Sequence, residues 1–64
     1  MAVIVNLLET EQDIADYKEW MSTKGKRRLI AIRRMIEIDE THRPGRWHNA
    51  QRRLKLLSEE INAR

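Results

Sequence analysis

Trp47, Ala50, Leu54, Leu57 and Ile61 follow one another at spacings of 3, 4, 3 and 4 residues in a chain of 64. Each step returns to the same side of an α-helix, so the residues draw one narrow apolar stripe. Arg46, Arg52, Arg53 and Lys55 flank it. This helix has one face built to bury and a flank suited to negative charge. The stripe must be covered, and the wide apolar face of Leu29, Ile32 and Ile36 is the surface expected to cover it.

Gly25, Pro44 and Gly45 are the only glycine and proline residues, and they divide the chain into three parts. The first carries Thr10-Glu11-Gln12-Asp13, an acidic capping box in which Thr10 accepts from the Asp13 amide. Ile14, Tyr17 and Met21 then recur at helical spacing with Trp20 beside them, which predicts a helix over about residues 10–22. Residues 1–9 are ambiguous. Val3-Ile4-Val5 has strand propensity, but no second strand candidate exists to pair with it. A helix begun near Val3, with Val3 and Leu7 extending the stripe, is the preferred reading.

The second part predicts a helix over about 24–40, with Ser22 or Thr23 as N-cap. Leu29, Ala31, Ile32, Met35, Ile36 and Ile38 cover nearly half of its wheel, with only Ile30 among the polar residues opposite. A face that wide suits a central helix that touches two neighbours, or a neighbour and a second subunit. Asp39 and Glu40 stand at the unfavourable end of its dipole, so its last turn is expected to fray. Pro44 disfavours helix at Arg43, and a third helix follows over about 46–62. Leu56 and Ile30 fit neither stripe and read as single exposed apolar residues or as a second, partner-facing surface.

Short connections make sequential helices antiparallel neighbours. The expected architecture is all-α: one domain over residues 1–64, either a three-helix bundle or a helical hairpin that completes its core by homodimerisation. A chain of this length buries only roughly 60% of its unfolded surface and holds a stability of about 3–5 kcal/mol without a staple. There is no cysteine, hence no disulfide or thiolate metal site, which fits a reducing compartment such as the cytoplasm. The apolar start is too short for a signal peptide and lacks a basic leader. No stretch approaches the ~20 apolar residues of a membrane span.

Net charge is +3, unevenly distributed. Residues 1–22 hold Lys18 against Glu9, Glu11, Asp13, Asp16 and Glu19, a net −4, leaving +7 for residues 23–64. Lys24, Lys26, Arg27 and Arg28 sit at the start of the second helix, the wrong end of the dipole for cations, at about 0.3–1 kcal/mol each. That cost asks for a compensating anion, from the acidic first helix or from phosphates. Nine of the thirteen basic residues are arginine, which holds phosphate and carboxylate bidentately.

Enzymatic constellations are absent from the sequence: two serines, no cysteine, no phosphate loop, and no serine–histidine spacing. His42 and His48 straddle the Pro-Gly turn at a separation that makes no metal motif, and no cofactor is expected. Trp47-His48-Asn49-Ala50-Gln51-Arg52-Arg53 resembles the recognition-helix signature of homeodomains over about seven residues. It departs from that signature at His48, in the asparagine-to-arginine spacing and in the acidic start of the chain, so no functional residue carries over. The resulting expectation is a non-enzymatic regulatory module that contacts nucleic acid through Lys26, Arg27, Arg28, Arg33, Arg34, Arg46, Arg52, Arg53 and Lys55. The alternative is an adaptor or inhibitor that binds an acidic protein through an exposed helical face.

Overall fold

Thr10 begins the first helix as its sequence context demands. The computed structural model describes residues 6–64, so the reading of Val3-Ile4-Val5 lies outside the described residues. Thr10 is extended, its hydroxyl accepts from the Asp13 amide at 3.0 Å, and the Asp13 carboxylate accepts from the Thr10 amide at 3.3 Å. This capping box opens α1 (Glu11–Ser22) and satisfies donors that the helix leaves free. The helix does not reach back through Leu7. Leu8 has a left-handed φ of 55° and is fully buried, while Leu7 is exposed. Leu8 therefore takes the apolar role expected of Leu7, and its burial holds an unfavourable backbone conformation in place.

Ser22 and Thr23 turn backward instead of capping the second helix. Their hydroxyls donate to the Glu19 and Trp20 carbonyls at 2.5 and 2.7 Å and so close α1. The second helix, α2 (Lys26–His42), starts two residues later than expected, on Gly25, with no side-chain cap. Nor does its end fray at Asp39. The Asp39 carboxylate accepts from the Trp47 indole N–H at 2.8 Å, and Glu40 accepts from the Gly45 amide at 3.2 Å. Acids that oppose the dipole are held there by donors from the following loop.

That loop is longer than expected. The third helix, α3 (Ala50–Asn62), starts at Ala50 because Asn49 takes a left-handed φ of 53°. Asparagine tolerates that conformation. Its amide also donates to the Leu7 and Leu8 carbonyls at 2.8 and 3.1 Å, which binds the loop to the N-terminal segment. Trp47 packs half-buried against the core from the loop, not from the helix. The homeodomain-like run thus has its tryptophan, histidine and asparagine outside α3.

The three helices form a bundle with no strand among the described residues. Its core comprises Leu8, Tyr17, Met21, Leu29, Ile36, Ala50, Leu56, Leu57 and Ile61. The central helix is α3, not α2: both α1 and α2 pack on α3 and scarcely touch each other. Two partners require a buried arc wider than a single stripe. Leu54 and Ser58 look toward α2, where Arg33 Nη1 donates to the Ser58 hydroxyl at 3.4 Å. Leu56 looks toward Lys18 and Met21 of α1 and is buried, correcting its reading as a surface residue. On α2 only Leu29 and Ile36 are buried, because that helix has one neighbour.

Candidate functional site

The arginines expected to meet a partner divide into two groups. Arg53 is inside the fold, 7% exposed. Its Nε donates to the His48 carbonyl at 2.8 Å and its Nη2 donates to the Asn6 carbonyl. The guanidinium carbon lies 5.6 Å from the Tyr17 ring centroid and 6.0 Å from that of Trp47, within cation–π range. The periodicity carried this signal, since Arg53 falls three after Ala50 and four before Leu57. Its residue type argued the other way, because arginines are rarely buried. Arg52 Nη1 donates to the Leu8 carbonyl at 2.6 Å. With Asn49, these two arginines bind the carbonyls of Asn6, Leu7 and Leu8 and anchor the N-terminal segment to α3.

Arg33 and Arg46 are also engaged, by Glu37 at 3.6 Å and Asp39 at 3.7 Å. Arg64, which the sequence did not single out, donates to the Met21 carbonyl at 2.9 Å and pairs with Glu60 at 3.0 Å. It closes the C-terminal end of the bundle.

Lys26, Arg27, Arg28 and Arg34 remain. All four are exposed on α2, and none has a hydrogen-bond or ion-pair partner among the described residues. Lys55 is likewise exposed and unpaired, but it stands apart on α3. No ion pair among the described residues joins α1 to α2, so the acidic first helix does not supply the expected partner by direct contact. The start of α2 has no acid in its first turn and only Gly25 as its cap. Free amides at the positive end of a helix and three unpaired cations, Lys26, Arg27 and Arg28, therefore face solvent together, with Arg34 two turns beyond Arg27.

The chain matches no family model, no curated protein and no solved structure.

A second feature results from the separation of α1 and α2. A groove of about 280 Å³ runs between them, lined by Tyr17 and Trp20 on one wall, Ile32 and Met35 on the other, with Ile36, Trp47 and Arg53 below. Trp20 is 39% and Met35 48% exposed, although the wheel placed Met35 in the buried arc. The groove lies at the small end of ligand sites and is open to solvent. It fits protruding side chains of an opposing surface better than an enclosed cofactor. Among the described residues, no three histidine or carboxylate side chains converge to hold a metal, and no helix is long and apolar enough to cross a membrane.

Tyr17, on one wall of this groove, is itself buried. Burial raises its pKa above the ordinary value of 10.0, and the Arg53 guanidinium lowers it only in part. The folded state thus holds the phenol proton more tightly than the unfolded state. The stability linked to this group is fully present below pH 10.0 and is lost as pH rises through the higher folded value. An ultraviolet titration of this single tyrosine should show phenolate forming above pH 10.0 and in step with loss of helix signal. A simple titration at the ordinary value, with the helix signal intact, would show that the ring is not enclosed.

Proposed function

We propose that this chain is a non-enzymatic binding module whose α2 face contacts nucleic acid through its phosphates. The observation that supports the reading is the set of Lys26, Arg27, Arg28 and Arg34, exposed and without acidic partners among the described residues. Lys26, Arg27 and Arg28, clustered at the positive end of α2, repel one another and the dipole. An anion relieves both, and a row of phosphates relieves several such charges at once. Arginine is suited to that role by its planar fork of donors. On the helical wheel Arg27 and Arg34 fall on the side away from α3, two turns apart. A duplex backbone can therefore approach them without disturbing the core.

The buried and paired arginines have no part in this contact. Arg53 and Arg52 hold the N-terminal segment, and Arg33 and Arg46 are held by acids of the fold. The binding surface is then smaller and more localised than the arginine content suggests.

The test is fluorescence anisotropy with a labelled DNA duplex at low salt. The Arg27→Glu/Arg34→Glu variant should keep its thermal melt, since both side chains are exposed, and lose binding at least tenfold. Arg46→Ala should bind within about twofold of wild type. Equal affinities for all three proteins would refute the assignment to α2.

A further inference from the structure

We infer that the groove between α1 and α2 is an interface between two copies of this chain. The bundle leaves it open because α1 and α2 each pack on α3 and scarcely on each other. Trp20 and Met35 project from opposite walls, 39% and 48% exposed, and their apolar surface has no cover among the described residues. A domain of this length gains more from oligomerisation than a larger one, because its own core is small.

The charges at the two ends of the groove identify the occupant. One end lies by the α1–α2 turn. Lys24 holds its ammonium 5.5 Å from the Trp20 ring centroid there. The other end lies by Asp13 and Asp39. Asn6 links Asp13 to it, donating to the Asp13 carbonyl at 2.7 Å while accepting from Arg53. Asp39 is linked through Trp47, whose ring lies beside the same guanidinium. Asp16 is exposed on this acidic side, one turn before Trp20, and has no cationic partner among the described residues. The groove thus has a cation at one end and, toward the other, a carboxylate that accepts only from the exposed Gln12 amide, at 2.8 Å, among the described residues.

A two-fold axis crossing the groove reverses its direction. It lays the basic end of one copy on the acidic side of its partner, and does so twice. The same rotation brings the two Trp20–Met35 surfaces together. Such a contact is self-complementary, as a closed two-fold interface requires. A foreign helix would have to match the apolar walls and both charges independently.

Native mass spectrometry and equilibrium sedimentation, without nucleic acid and across micromolar to millimolar chain, test this directly. The full chain should show a concentration-dependent dimer. Met35→Glu should shift dissociation at least tenfold toward monomer while retaining its melt. Asp16→Arg and Lys24→Asp should each weaken the dimer several-fold, and the double variant should regain most of it. A monomer throughout the range overturns the proposal. So does a dimer indifferent to Met35→Glu, or a double variant no better than the weaker single one. Because mass is read without nucleic acid, the result is independent of the phosphate contact.

Discussion

Replacing Leu57 by aspartate leaves the chain without a cooperative thermal transition. Leu57 is fully buried on the central helix, between the side that meets α1 and the side that meets α2. Truncating a buried leucine costs about 2–5 kcal/mol through lost burial and the cavity left behind. An ionised carboxylate in its place adds several kcal/mol of desolvation with no partner to offset it. A domain of this size has about 3–5 kcal/mol in total. Circular dichroism at 25 °C should therefore show mostly unfolded chain. The half-buried Leu54 makes the useful comparison, because Leu54→Asp can turn its carboxylate toward solvent and should retain a lowered melt. A native melt for Leu57→Asp would mean that α3 is not the centre of the bundle.

Arg53→Met is the second large effect, and it comes from a residue that looks like surface in the sequence. Methionine is similar in length and keeps part of the packing. It cannot donate to the Asn6 and His48 carbonyls, nor place a cation beside the Tyr17 and Trp47 rings. Leaving such acceptors without a partner costs about 1–3 kcal/mol each, so the variant should lose most of its stability. Arg53→Lys should rescue only part, since one ammonium does not reproduce the guanidinium fork. Arg34→Ala, an exposed arginine on α2, should change the melt by no more than ~0.5 kcal/mol. Chemical denaturation of the three variants gives the comparison. If Arg53→Met and Arg34→Ala are equally stable, the guanidinium does not anchor the N-terminal segment.

Arg53 also shows where the sequence stops being legible. The number of helices, the Thr10–Asp13 box and the buried positions Leu29, Ile36, Leu57 and Ile61 follow from spacing and capping chemistry, and the fold has them. Those signals are local, or they repeat at the helical period. The start of α3 depends instead on Asn49 reaching the carbonyls of Leu7 and Leu8, some forty residues away in sequence. No local pattern announces such a contact, and Pro44-Gly45 offered a plausible earlier start.

The width of a buried face misled in a second way. The apolar arc of α2 is broader than its one neighbour requires, so Met35 and Ile38 remain 48% and 51% exposed. The arc of α3 appeared narrow because one of its inward positions is an arginine. Residue type conceals burial when a long polar side chain brings its own partners inside. At the candidate site, composition could indicate an excess of arginine. Only the contacts separate Arg33, Arg46, Arg52 and Arg53, which the fold engages, from Lys26, Arg27, Arg28 and Arg34, which it leaves unpaired among the described residues.

That separation yields a number. Binding to a DNA duplex should weaken linearly on a logarithmic scale as salt rises. Four phosphate-contacting cations give a slope of about −3 to −4, at roughly −0.9 for each phosphate neutralised. All thirteen basic residues acting together would give a far steeper slope. The decisive measurement is the dissociation constant of the wild-type chain on one duplex from about 20 to 200 mM salt, since releasing condensed ions is the origin of the slope. A slope near −3 to −4, falling by about 1 in Arg34→Ala, is the expected result. No binding at the lowest salt, or binding indifferent to salt, would contradict a phosphate contact at the α2 face.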